Sequence, residues 1–187
     1  MSRLGDRIIA VHRGLAAHRI PHAIGGAIAL GYCTGDPRTT VDIDCNVFAA
    51  PAEVDEVFAA LPAEVAIRAV DRRAVARDAQ VRLWWDTTPV DLFFANHPFH
   101  AQIATRLRVV PFEGVELPVL ECTDLAVFKA FFNRTKDWAD IEAMLDVGSV
   151  DVTELRRTLV ELLHGDDPRV ERLDAAVRRD PGPERFS

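Results

Sequence analysis

The run Thr40-Val-Asp-Ile-Asp-Cys-Asn-Val-Phe alternates apolar and polar residues with period two, the pattern of a half-buried strand. A helix would scatter those apolar side chains around its circumference, so the chain is committed to a sheet here. Asp42 and Asp44 stand two apart on this run, and both carboxylates project from one side, roughly 6.5–7 Å apart along the chain. Upstream, His22-Ala-Ile-Gly-Gly is a short apolar strand running into a glycine turn, and Ala27-Ile-Ala-Leu-Gly-Tyr resumes as a helix. Strand, glycine turn, helix and acidic strand follow one another within thirty residues.

The flanking sequence extends the pattern. Residues 3–18 place Leu4, Ile8, Val11, Leu15 and Ala16 on one helical face that Pro21 ends. Pro51 opens a helix striped by Val54, Val57, Phe58 and Leu61. Residues 65–70, 81–85 and 89–95 read as strands, the last with Asp91 inside an apolar run. Residues 97–104 suit a short helix, 107–112 and 115–120 a hairpin around Glu113-Gly114, and everything after Thr123 is helical in pattern. The expected organisation is an α/β core over 1–121, a helical segment over 122–180 that packs on it, and a frayed tail over 181–187.

Composition narrows the function classes. The 187 residues are 49% apolar, and 22 basic against 29 acidic side chains give a net charge of −7, which argues against a broad basic surface. No apolar run reaches the ~20 residues needed to cross a bilayer, so the expectation is a cytoplasmic protein with no membrane partner. Cys33, Cys45 and Cys122 form no CxxC pair and are odd in number; they read as small buried apolar residues. Of the 22 basic residues only Lys129 and Lys136 are lysine. Two ordinary solvated lysines, or two point charges kept for a purpose, fit that spacing equally.

Two carboxylates held close repel each other, and a hard divalent cation offsets that repulsion. A D-x-D on a strand can also simply face solvent. Asp91, however, would carry a desolvation cost of several kcal/mol if unpaired within its apolar strand, and a role as a third metal-facing acid resolves it. Gly25 and Gly26, between a strand and a helix N-terminus, leave backbone N–H groups open to a phosphate.

These segments, Gly25-Gly-Ala-Ile-Ala-Leu-Gly-Tyr followed by Arg38-Thr-Thr-Val-Asp-Ile-Asp, resemble the signature of the DNA-polymerase-beta-like nucleotidyltransferase superfamily, with Asp91 in Val90-Asp-Leu matching its third carboxylate. Lys129-Ala-Phe-Phe-Asn-Arg-Thr-Lys-Asp-Trp-Ala-Asp further resembles a helix motif of small bacterial members, including AbiEii-type nucleotidyltransferases. The resemblance implies an α/β (α+β) fold: a small mixed sheet flanked by helices, with a C-terminal helical segment. It implies that Asp42 and Asp44 bind Mg²⁺, that Asp91 helps hold a second ion and activates an acceptor hydroxyl, and that Gly25 and Gly26 cradle the triphosphate of an NTP. Ala27 stands where many members have a serine that touches phosphate.

On one continuous helix Lys129, Asn133, Lys136 and Asp140 would form a single polar stripe, with Leu125, Phe128, Phe132, Ala139 and Leu145 facing the core. The resemblance then gives Lys129 or Lys136 to the phosphates, and Asp137 or Asp140 to orienting a lysine or the acceptor. Arg38 and Thr39 are further phosphate candidates. His97 and His100, and Trp84 with Trp85, are weaker: the histidines read as surface residues, and one of the tryptophans should be core.

The implied reaction moves an NMP from an NTP to a hydroxyl, on a tRNA end or on a small molecule, and releases pyrophosphate. Arg68, Arg72, Arg73, Arg77 and Arg82 could form a basic patch for RNA. A catalytically idle relative acting as an antitoxin or regulatory module is the alternative, as is a metal phosphohydrolase. A toxin-antitoxin arrangement would bring a protein partner encoded nearby.

Overall fold

A computed structural model describes residues 3–179. The frayed tail expected over 181–187 lies outside the described residues. The described residues of Met1–Ile28 with Arg38–Leu120 make one compact unit, and those of Ala29–Pro37 with Glu121–Ser187 make a second.

The first unit holds a seven-stranded mixed sheet: β1 His22–Ile24, β2 Ile43–Val47, β3 Val65–Ala66, β4 Gln80–Trp85, β5 Thr88–Phe94, β6 Arg108–Phe112 and β7 Val115–Val119. Their spatial order is β3-β4-β5-β2-β1-β7-β6. β2 lies parallel to β5 and antiparallel to β1, while β1 lies parallel to β7. Ile43, Cys45 and Val47 of β2 are fully buried, as are Val90 and Leu92 of β5. The central strands are buried on both faces, which is why Asp91 lies in an apolar run. Helix α1 (Arg3–Ala17) contributes Ile8, Val11 and Leu15 to the core, whereas Ala16 is exposed.

Helices α3 (Val54–Ala60), α4 (Ala69–Asp78) and α5 (Pro98–Ile103) complete this unit. The expected strand over 65–70 is only two residues long, and Val70 belongs to α4 instead. The Asp71 carboxylate takes the Arg68 backbone N–H at 2.6 Å, a capping contact that starts a helix rich in alanine and arginine, both strong helix formers. Valine's strand preference is outweighed by that cap.

Helix α2 (Gly26–Thr34) begins in the first unit, and its later part belongs to the second. The second unit otherwise consists of α6 (Cys122–Phe132), α7 (Thr135–Asp146), α8 (Val152–Leu163) and α9 (Pro168–Arg179). The continuous helix expected through Lys129–Asp140 is broken: Asn133 takes φ 54°, ends α6, and its side chain accepts from Trp138 Nε1 at 2.7 Å. The break exposes Phe132 and Ala139, which the single-helix register had placed in the core. Cys33 and Cys122 form a disulfide with their Cα atoms 5.6 Å apart, correcting the reading of both as plain apolar residues. Only Cys45 is a free buried thiol; burial, then Asp44, pushes its pKa up to about 12, so it is inert. Among the described residues no helix is long and apolar enough to cross a membrane.

Candidate active site

β2 begins at Ile43, so Asp42 stands one residue before the strand and Asp44 is its second residue. The parallel pairing of β2 with β5 sets Asp44 beside Asp91. The hairpin of β4 and β5 then sets Arg82 opposite Asp91. Arg82, Asp91 and Asp44 therefore form a row across three adjacent strands, and Asp42 joins it from the end of the preceding loop. One oxygen from each of Asp42, Asp44 and Asp91 lies within 4.8 Å of the others. Like charges set side by side across strands destabilise a sheet, so this cluster needs a cation.

Arg82 supplies part of that charge. Its Nε donates to Asp91 Oδ1 at 2.7 Å and its Nη2 to Oδ2 at 2.6 Å, a two-pronged pair. The Asp91 side chain is 12% exposed and that of Arg82 is 54% exposed. The hydrogen bonds to Asp91, its charge, and at longer range Asp42 and Asp44 raise the Arg82 pKa. Arg82 engages Asp91 with both prongs and leaves Asp42 and Asp44 to share the same small volume. Three carboxylate oxygens converging from one loop end and two strands are the donor set that hard cations such as Mg²⁺ take, so the residues present fit such an ion.

The glycine turn is built around Asp44. Gly26 has φ 52°, and a Cβ there would overlap the Asp44 carboxylate, so only glycine satisfies both the backbone and the approach. The Gly25 N–H donates to the Asp44 carbonyl at 2.8 Å and is committed to the sheet. A phosphate at this turn would meet N–H groups from Gly26 onward. Thr40, which the sequence did not single out, donates its hydroxyl to Asp42 Oδ1 and holds that carboxylate. Arg38 and Thr39 are exposed in the loop before it.

Other candidates have different roles. Four of the five arginines of the supposed basic patch face acids: Arg68 with Asp71, Arg72 with Asp55, Arg77 with Asp78 and Arg82 with Asp91. His97 caps α5 by accepting from the Phe99 N–H at 3.2 Å, and His100 is buried, not a surface residue. Trp84 is exposed and Trp85 half-buried, so neither is core; the Arg7 guanidinium lies 5.3 Å from the Trp85 ring centroid. Buried Arg7 also binds Asp86 and Thr88, fixing the turn of the hairpin that carries Arg82 and Asp91.

In the second unit, Lys129 Nζ on α6 donates to Asp140 Oδ2 on α7 at 2.7 Å, and both side chains are about nine-tenths buried. Asp137 caps α7 and pairs with Arg134 at 2.6 Å. Lys136 is exposed on α7.

Residues 21–173 match the family described as "Nucleotidyltransferase of unknown function (DUF6036)", and the chain belongs to that family. It is a nucleotidyltransferase of the superfamily that its motifs resemble. Among solved structures, the antibiotic-resistance factor ANT(2'')-Ia in solution is similar over 94% of this chain and 91% of its own, at 14% identity and a TM-score of 0.56. The same protein in complex with adenylyl-2''-tobramycin is similar over 95% and 98%, at 14% identity and a TM-score of 0.57. JHP933 from Helicobacter pylori covers 97% of this chain and 83% of its own, at 17% identity and a TM-score of 0.45. At these identities the likeness to ANT(2'')-Ia is one of fold. No curated protein matches the chain.

Proposed function

We propose that this protein transfers an NMP from an NTP to a hydroxyl of a small molecule, with Mg²⁺ held by Asp42, Asp44 and Asp91. The observation that carries the reading is the convergence of those three carboxylates within 4.8 Å. The ions would supply charge neutralisation at the phosphates and at the departing pyrophosphate. In the reaction the acceptor oxygen bonds to the α-phosphorus, the bond from that phosphorus to the bridging oxygen breaks, and the hydroxyl proton leaves toward Asp91. Thr40 fixes Asp42, and Arg82 fixes Asp91. N–H groups from Gly26 onward, with Arg38 and Thr39, are the proposed phosphate contacts.

A small-molecule acceptor is supported by the arginines: RNA needs unpaired cationic charge, and four of the five clustered in sequence already face carboxylates. ANT(2'')-Ia, similar in fold, is seen with an adenylylated aminoglycoside, which makes aminoglycosides the first acceptors to try. An RNA acceptor would instead favour the AbiEii-type branch and a partner protein encoded nearby. NTP use points to the cytoplasm, a reducing compartment where Cys33 and Cys122 would stand as neighbouring thiols.

The test incubates the protein with Mg²⁺, each α-labelled NTP, and either an aminoglycoside panel or bulk tRNA, beside Asp42→Asn. Label moving to a small molecule, and lost in the variant, is the expected result. Label on tRNA overturns the acceptor, and release of free monophosphate overturns transfer.

A further inference from the structure

Arg82 is a cation that the fold sets directly against the carboxylate cluster, and its position is fixed by strand register. A cross-strand ion pair on a solvated sheet face would need no further account. This pair differs because its acid is also the neighbour of Asp44, and because both Asp91 oxygens are engaged by the fork. An incoming divalent cation would need one of those same oxygens. Two oxygens bound to one Mg²⁺ at about 2.1 Å stand roughly 3 Å apart when adjacent and about 4.2 Å when opposed, and the three carboxylate oxygens lie within 4.8 Å of one another. A cation on one of those oxygens competes with the Arg82 prong that the same oxygen accepts.

We propose that Arg82 is a resident counter-ion that exchanges partners: it neutralises Asp91 before metal binds, yields one Asp91 oxygen to the cation, and turns its released N–H donors to the nucleotide's polyphosphate. Half-exposure of the side chain leaves room for that movement, and a planar guanidinium accepts carboxylate or phosphate with the same donor spacing. Arg82 thus acts as a positioning residue for Asp91 in one state and as a phosphate ligand in the other. This inference rests on the metal-dependent reading of the same cluster.

The two halves of the exchange predict shifts of opposite sign. Free Mn²⁺ measured by electron paramagnetic resonance, with no nucleotide present, gives the cation affinity directly. Arg82→Gln removes a competing positive charge and should bind Mn²⁺ roughly fivefold more tightly than the wild type. The same variant at saturating metal should bind a non-hydrolysable NTP analogue about tenfold more weakly. Arg82→Lys, which keeps the charge and loses the fork, should leave Mn²⁺ affinity near that of the wild type while still weakening the nucleotide. Unchanged or weaker Mn²⁺ binding by Arg82→Gln, or tighter Mn²⁺ binding with undiminished nucleotide affinity, overturns the exchange. Asp42→Asn separates this failure from that of the underlying reading. If Asp42→Asn binds Mn²⁺ as the wild type does, the metal centre itself is wrong; if it loses Mn²⁺ and only Arg82→Gln is silent, the counter-ion role alone fails.

Discussion

The acid cluster of the sheet and the Lys129–Asp140 pair of the helical unit handle buried charge in opposite ways. In the helical unit the Lys129 ammonium meets the Asp140 carboxylate at 2.7 Å, and both are nearly enclosed. In the sheet, three carboxylates converge within 4.8 Å, and the guanidinium that pairs with Asp91 is half in solvent. An enclosed pair of opposite charges fixes a structure, because neither charge can leave without exposing the other to an apolar surrounding. A partly open cluster of like charges holds repulsion that a bound cation relieves, and clusters of that kind mark functional sites.

The comparison can be broken at several points. Asp42→Asn should lower nucleotidyl transfer by about 10³-fold or more while leaving the unfolding midpoint close to that of the wild type, since it removes one charge from a repelling group. A large drop in stability instead would make the cluster structural. Lys129→Met should do the reverse in kind, costing about 3–5 kcal/mol by leaving Asp140 enclosed without that cation, and Lys129→Met with Asp140→Leu should recover much of the loss in a double-mutant cycle by urea unfolding. Additive losses would show that the two side chains are not coupled.

Reduction tests a third kind of restraint. The Cys33–Cys122 link closes a span of 89 residues, and breaking it with dithiothreitol should lower stability by about 2–4 kcal/mol, seen as a fall in Tm that Cys33→Ser reproduces without reductant. A Tm indifferent to reductant would mean that the link does not restrain the unfolded chain. The smallest effect is on pH. His22 Nδ1–H donates to the Ile20 carbonyl at 2.8 Å, so its Nε2 must accept from His12 Nδ1–H at 2.9 Å, an arrangement that needs His22 neutral. Burial holds the pKa of His22, and likewise of His100, below the ordinary 6.5. The unfolded chain binds these protons first, so stability is full above about pH 6.5 and declines as pH falls below it toward the depressed folded values. His22→Gln should flatten that decline between pH 7 and 5.

Two of the seven strands, β1 and β2, could be read from residues 22–48 alone, because period-two alternation and a glycine turn have few other solutions. The site was less legible. Arg82 was read as part of a basic patch, yet the signal for its real partner was present: strands ending near Trp85 and starting near Thr88 leave a two-residue turn, and that register sets position 82 against 91. The second cue needed was that a buried acid requires a nearby cation. Lys129 and Asp140 were placed on one helical stripe, whereas the structure brings them together across a break at Asn133, where a left-handed residue ends one helix and the next begins.

By itself, then, the sequence determined the elements whose cause is local: the acidic strand with its paired aspartates, the glycines that flank it, the helical second half, and through these the nucleotidyltransferase class. Tertiary structure alone decided which charges meet. Arg82 with Asp91, Lys129 with Asp140 and Cys33 with Cys122 depend on strand register and helix breaks that fix distances between residues far apart in the chain. Periodicity reports which face a residue occupies, and carries no information on what is set opposite that face.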